Sequence, residues 1–294
     1  MATVFYDKAM VNVSFDGLNE NILASDCTIN LSSSQQPLYS IGTKGSLGQF
    51  PTAARVGDIS FNFITSITGA YNGYKGNLIN YLASGVKHSV NSQCTGVHIE
   101  CAGITGVGYL NSYSFNVGSN IISTSSAAFT LYGSGTAEEP VSGFIHGGAP
   151  AGCVGIGVTA SLATGIAHGK TSDISALETS ISNPTDTANI FAADYSLSLN
   201  HNPIYKVGQE LPLTTLYTTA AESVNVTEDV FNNALKFNES SANYTLKLRG
   251  FNAAGGNGTE AMEVMISGGK QISTSASAGL DDIIRTQKTI NAAY

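Results

Sequence analysis

Tryptophan is absent from the 294 residues, and charge is scarce: 13 Lys and Arg and 21 Asp and Glu make up 12% of the chain, for a net charge of −8. That charged share is about half the globular average. Together with 42% hydrophobic residues, it excludes an intrinsically disordered chain, which would be rich in charge and poor in apolar side chains. The few basic residues are scattered, which excludes a grip on nucleic acid, since holding a phosphate backbone needs clustered Lys and Arg. No apolar run approaches the roughly 18 to 20 residues of a membrane-spanning helix, so no membrane partner is expected. The start, Met1-Ala2-Thr3-Val4-Phe5-Tyr6-Asp7-Lys8, lacks a basic region followed by an apolar block, so it does not read as a signal peptide. Cysteine is limited to Cys27, Cys94, Cys101 and Cys153, with no C-x-x-C pair. Free thiols are expected and zinc is not, while the spacing leaves a Cys94–Cys101 disulfide open.

Catalytic constellations are missing as well. The histidines His88, His98, His146, His168 and His201 stand at no metal-binding spacing, and each reads as a surface or turn residue. No G-x-S-x-G elbow is present to present a nucleophilic serine. The stretch Gly42-Thr43-Lys44-Gly45-Ser46-Leu47-Gly48 is glycine-rich but lacks the Gly-Lys-Ser/Thr ending of a phosphate loop. Asp26 and Asp194 occupy equivalent points just before predicted strands, far apart in sequence, which suits turn or strand-entry hydrogen bonding better than paired carboxylate chemistry. No catalytic, cofactor-binding or metal-binding residue is therefore expected, and the chain does not read as an enzyme.

What is present is glycine (32 residues), a wealth of Ser, Thr and Asn, and an internal repeat. Asn21-Ile22-Leu23-Ala24-Ser25-Asp26-Cys27-Thr28-Ile29-Asn30-Leu31 aligns with Asn189-Ile190-Phe191-Ala192-Ala193-Asp194-Tyr195-Ser196-Leu197-Ser198-Leu199, with five of eleven positions identical. Pro37-Leu38-Tyr39-Ser40-Ile41-Gly42 then meets Pro203-Ile204-Tyr205-Lys206-Val207-Gly208. Further on, Ala53-Ala54 aligns with Ala220-Ala221, and Asp58-Ile59-Ser60 with Asn225-Val226-Thr227. A weaker echo pairs Gly118 and Ile122-Ser123-Thr124-Ser125 with Gly268 and Ile272-Ser273-Thr274-Ser275. The reading is two copies of one domain, residues 1–137 and 173–294, joined by a Gly/Ala-rich linker or excursion over 138–172.

Alternation of apolar and polar residues marks strands in both copies. Val11, Val13 and Phe15 precede an Asp16-Gly17 turn, and Ile29 with Leu31, Ile59-Phe61-Phe63, Val97-Ile99-Cys101 and Tyr113-Phe115-Val117 follow the same period. Leu197-Leu199 and Tyr244-Leu246-Leu248 do so in the second copy. One helix per copy is predicted, around Leu78, Ile79 and Leu82, and around Val230, Phe231, Ala234 and Leu235 after a Thr227-Glu228-Asp229 start. Leu280, Ile283, Ile284 and Gln287 have helical spacing too, predicting a C-terminal helix or arm.

The Asp-Gly turn, the [I/L]-x-L strand, the Pro-x-Tyr-x-[I/V]-Gly loop and the mid-domain helix together resemble the tail-tube proteins of bacteriophages and related contractile injection systems. The block Gly108-Tyr109-Leu110-Asn111-Ser112-Tyr113-Ser114-Phe115-Asn116-Val117-Gly118 and the strand Ser126–Gly133 add to the likeness. The resemblance covers most of the first copy and about half of the second. It implies a mainly β protein of two tandem tail-tube-like β-sandwich or barrel domains, each with one flanking helix. It implies a structural virion protein of the tail, present in the host cytoplasm during assembly. Three chains in a pseudo-sixfold ring, or six chains, would stack into a tube that passes DNA without binding it specifically. Sheath and baseplate proteins would be further partners, and no cofactor is implied. A baseplate hub, neck or terminator protein of low copy number, and a carbohydrate-binding β-sandwich, are the competing readings. Val97, His98, Ile99, Glu100 and Cys101, with their Gly-rich return, are the expected inter-ring or subunit contact, set against a plain internal strand pair.

Overall fold

A computed structural model describes residues 9–32, 34–42, 44–51, 56–65, 70–71, 74–87, 96–101, 104–118, 121–122, 124–132, 141–142, 168–169, 174–179, 190–207, 212–229, 241–251, 257–277 and 285–294. The strands of the first part are β1 (Ala9–Phe15), β2 (Leu18–Ser32), β3 (Gln35–Tyr39), β4 (Ser46–Pro51), β5 (Val56–Ile64), β6 (Ala70–Tyr71) and β7 (Tyr74–Lys75). After helix α1 (Leu78–Val86) come β8 (Val97–Cys101), β9 (Ile104–Gly118), β10 (Ile121–Ile122), β11 (Thr124–Leu131), β12 (Val141–Ser142) and β13 (His168–Gly169). The second part holds β14 (Ile174–Thr179), β15 (Ile190–Tyr205), β16 (Pro212–Asp229), β17 (Ala242–Phe251), β18 (Asn257–Ser277) and β19 (Arg285–Ala293). The protein is mainly β, built on a large antiparallel sheet with one short helix among the described residues.

The first hairpin follows directly from sequence. Phe15 faces Leu18 across a two-residue turn in which Asp16 and Gly17 both take positive φ, 54° and 77°. A two-residue turn of that hand matches the natural twist of the strands, and Asp-Gly is among the pairs that adopt it most readily. The alternation in β5 is equally direct. Ile59, Phe61 and Phe63 are buried while Asp58, Ser60 and Asn62 are exposed.

In the first part the strands close on themselves. The neighbours run β11-β5-β2-β1-β8-β9, and β9 returns to pair with β11. This closed barrel is filled by Val11, Val13, Phe61, Phe63, Phe129, Leu110 and Tyr113, with Phe61 and Phe129 stacked, their centroids 6.1 Å apart. Closure removes sheet edges that would otherwise seek partners. Beyond β8, the far end of β9 continues along the same edge into the second part, pairing Gly118–Ser112 with Ala192–Ser198 of β15.

The second part repeats the order. Strands β2-β5-β11-β9-β8-β1 correspond in sequence of neighbours to β15-β16-β19-β18-β17-β14. The pairing register revises the sequence alignment on the returning strand. Asp26 faces Asn62 and Asp194 faces Asn225, so Asn62, rather than Asp58, is the counterpart of Asn225. Both aspartates lie inside strands, not before them.

Two helix expectations meet strand at the residues the structure describes. Arg285–Ala293, which includes Gln287, is strand β19, hydrogen-bonded to β16 on one side and β18 on the other. There Thr286, Ile290 and Ala292 point inward, and the period of two wins because the sheet supplies backbone partners along both edges. Thr227–Asp229 ends strand β16 and does not begin a helix; Val230, Phe231, Ala234 and Leu235 lie outside the described residues. Leu280, Ile283 and Ile284 do as well. Of the 138–172 stretch, β12 pairs with β9 and β13 with β10, and the rest is outside the description.

Helix α1 is where expected. Asn77 caps it, its side-chain oxygen accepting from the Asn80 N–H at 2.7 Å, and the Glu20 carboxylate accepts the Leu78 N–H at the positive end of the helix dipole. The helix packs against β2 and β9 of the first part and β18 of the second. Leu78, Ile79, Leu82, Ala83 and Val86 are buried in one hydrophobic core that spans both parts.

Candidate functional site

The exposed apolar surface is concentrated on two hairpin arms. In the first, β3 and β4 pair from Gln35–Pro51 up to Tyr39–Ser46, leaving residues 40–45 at the tip. In the second, the outer ends of β15 and β16 pair up to Tyr205–Pro212, leaving residues 206–211. The tips have equal length. Of ten exposed large hydrophobic side chains among the described residues, eight are on these arms. They fall at matching places: Leu38 and Ile204, Tyr39 and Tyr205, Ile41 and Val207, Leu47 and Leu213. Ile41 and Val207 are fully exposed. Such clustering on projecting arms marks an interaction surface, whereas scattered single residues would need no explanation. In sequence both arms carry the Pro-x-Tyr-x-[I/V]-Gly signal, which by itself marks only a loop.

A second surface is polar and nearly uncharged. The register aligns Asp26, Asn62, Ser126, Ser114, Ser196 and Ser223 in one row across β2, β5, β11, β9, β15 and β16. A neighbouring row runs Thr124, Asn116, Asp194, Asn225 and Thr289. Over these strands neither row contains Lys or Arg; beyond Ser223 the first row runs on through Asn291 to Lys270. Cross-strand hydrogen bonds knit them: Asn62 Nδ2 donates to both Asp26 oxygens at 3.0 Å, and Thr289 Oγ1 donates to Asn225 Oδ1 at 2.8 Å. An open trough of about 370 Å³ sits between the rows, lined by Asn62, Asn116, Ser126, Asp194 and Asn225 among others. Burial raises the Asp194 carboxyl above its ordinary range.

The five residues expected at a subunit contact form β8, an inner strand paired with β1 on one side and β9 on the other. Val97, Ile99 and Cys101 face the core, His98 is exposed and Glu100 is half-buried. Both hydrogen-bonding edges of β8 are thus used within the chain, as in the internal strand pair. Only His98 and Glu100 face outward from it.

Cys101 lies against Cys27, with Sγ atoms 2.7 Å apart, and both are free thiols. The hydrogen bond from Cys101 and burial push the Cys27 thiol up, while the same contact lowers Cys101. Cys94 and Cys153 lie outside the described residues. His201 is not a surface residue. It is half-buried in β15, bonded to the Tyr132 hydroxyl at 3.1 Å and to Asn111, and ringed by Tyr109, Tyr132 and Tyr217. Burial lowers its pKa, partly opposed by Asp58.

One buried charge network joins the two parts. Lys87, at the end of α1, donates to Glu222 of β16 at 2.8 Å, and both side chains are almost wholly buried. The Tyr195 and Tyr294 hydroxyls donate to the two Glu222 oxygens at 2.6 and 2.8 Å, and Lys87 also reaches the Met265 carbonyl. Three donors thus converge on the carboxylate, two on Oε1 and one on Oε2, an arrangement that holds the halves in register. Among the described residues no group of three or more His, Cys, Asp or Glu could hold a metal, and no helix is long and apolar enough to cross a membrane.

No protein-family model matches the sequence, and no curated protein matches it.

Proposed function

We propose that this chain is a structural protein of a phage-type tail, assembling with copies of itself into rings that stack as a DNA-conducting tube. The observation that carries this reading is the pair of matching arms, each presenting four exposed apolar side chains at equivalent positions. A surface of that kind repeated twice in one chain suits a repeated contact in a symmetric assembly. Shared strand order in the two parts supports a duplicated tail-tube-like domain, so that three chains supply six equivalent units to a ring. The polar rows of Ser, Thr, Asn and Asp suit the wall of a channel. Neutral and weakly acidic groups let a polyanion slide past, where Lys and Arg would hold it. The chain would then reside in the virion tail, after assembly in the host cytoplasm, with sheath and baseplate proteins as neighbours.

Negative-stain electron microscopy of the purified protein, with rotational analysis of end-on views, tests this. Rings or tubes with an open channel are expected, with threefold symmetry for two tube units per chain and sixfold for one. Discrete rings that never stack favour the hub, neck or terminator role. A monomer at every concentration removes the tube reading. Glycan binding by that monomer would then favour the carbohydrate module.

A further inference from the structure

Cys27 and Cys101 stand 74 positions apart in the chain, yet their Sγ atoms lie 2.7 Å apart. Both are held by sheet ladders. Cys27 of β2 faces Phe61 of β5, while Cys101, the last residue of β8, faces Val11 of β1 and Ile104 of β9. The strand order runs β5-β2-β1-β8-β9, so β1 lies between the two cysteine-bearing strands, and no described ladder joins them directly. The sulfurs meet on the apolar side of the barrel wall. Cys101 is a buried member of the core, and the half-buried Cys27 packs against it.

As thiols the two gain little from this contact, because S–H is a weak donor and sulfur a weak acceptor. Among the described residues no third His, Cys, Asp or Glu joins them in a group that could hold a metal. A covalent bond, in contrast, is close at hand. From 2.7 Å to a disulfide bond the sulfurs need to approach by roughly 0.7 Å, with no strand displaced.

We infer that Cys27 and Cys101 are a disulfide site, a redox-dependent staple between β2 and β8. The oxidant is a small disulfide of the glutathione class. The sulfur of Cys27, the less buried of the two, attacks it, forming a mixed disulfide and releasing one small thiol. Cys101 then displaces the second small thiol from Cys27. Both protein thiols lose their protons, one S–S bond forms in the protein, one breaks in the oxidant, and two electrons pass to the two released thiols. The contact lowers the Cys101 thiol while raising that of Cys27, so the pair gives up its first proton more readily than a lone thiol buried in apolar surroundings. The closed loop contains the β3–β4 arm, β5 and α1, and it restricts the unfolded chain more than the folded one. The pair is a dithiol under reducing conditions and a disulfide under oxidising ones. The bond forms within one folded chain, whatever that chain assembles into.

The test incubates the full chain in oxidised and reduced glutathione, then maps its peptides by mass spectrometry without reductant. Digestion at Lys and Arg together with Glu places the four cysteines on four separate peptides. The native chain is expected to lose two hydrogens and to link Cys27 with Cys101, at least about tenfold in excess over any pairing with Cys94 or Cys153. In urea, where the ladders no longer hold the sulfurs together, the pairings are expected to scatter. Oxidation should raise the unfolding temperature by about 5–10 °C, and Cys101→Ser should remove that difference while circular dichroism stays unchanged. The double variant Cys94→Ser with Cys153→Ser is expected to oxidise as the native chain does. If either variant fails to fold, the peptide map of the native chain decides. Both thiols surviving in a buffer that oxidises a dithiol control peptide would overturn the site. So would a lasting glutathione adduct on Cys27, or Cys101 linked to Cys94.

Discussion

The two parts of the chain share one order of strands but finish it differently. In the first, β1 pairs with both β2 and β8 and closes the barrel. In the second, β14 pairs with β17, and no described pairing joins it to β15; that edge of β15 is instead taken by β9. The same outward rows of Ser, Asn and Asp cross both parts, and the same apolar tips crown both arms. Core composition differs in step: the first part packs Phe61, Phe63 and Phe129, while the second has Val224, Val226 and Ala292 at the corresponding inner positions. The two parts thus share an order of neighbours, but which strand takes a leftover edge differs between them. The first part closes through β1, whereas in the second the edge of β15 is taken by β9 of its companion.

The largest expected effect comes from the charge network that ties the parts together. Lys87→Met leaves the Glu222 carboxylate buried without its cation, and a loss of about 3–5 kcal/mol is expected in urea unfolding. If the parts were independent, two transitions would appear and only one would move. Next comes a matched pair at equivalent positions of the two parts. Leu197→Ala is expected to cost about 2–5 kcal/mol, because that side chain is buried. Its counterpart Ile29→Ala, at a half-buried position, should cost about 1 kcal/mol. Equal losses would erase the distinction between the buried and the half-buried position.

Gly17→Ala forces a side chain to hold φ of 77°, and a loss of about 1–2 kcal/mol in thermal unfolding is expected. The arm double variant Ile41→Asp with Val207→Asp changes stability by no more than about 0.5 kcal/mol, both side chains being fully exposed. It should nevertheless abolish stacking by electron microscopy, and unchanged tubes would remove the arms from the assembly contact. The smallest effect is in acid. Burial depresses the His201 pKa in the folded chain, so imidazole is neutral in both states above about pH 6.5. As pH falls below that value the unfolded chain takes up a proton that the folded chain resists, and stability declines toward the folded pKa. His201→Gln should flatten that part of the stability–pH curve.

Much of this architecture was legible along the chain. The Asp16-Gly17 hairpin, the alternation in β5, β8 and β9, and the capped helix after Asn77 are local features, set by turn stereochemistry and by the period of apolar residues. Of the helix expected near Leu280–Gln287, only Gln287 lies among the described residues, and there the backbone partners offered by β16 and β18 make Arg285–Ala293 a strand. The arms were visible only as a repeated Pro-x-Tyr motif, since exposure is decided by what packs alongside, and among the described residues these side chains stay exposed. Lys87 and Glu222 gave no signal at all, being 135 positions apart and each an ordinary surface residue type.

Composition and periodicity by themselves determined that this is a charge-poor, mainly β protein with an internal repeat, because strand alternation and turn residues act over a few neighbours. Only the tertiary structure decided which strand faces which: that Asp26 meets Asn62 and Asp194 meets Asn225, that β19 threads between β16 and β18, and that Glu222 is enclosed by Lys87, Tyr195 and Tyr294. Those choices depend on backbone edges and buried charges finding partners across long stretches of chain, and a polar group's need for a partner does not reveal, in one dimension, which partner it will find.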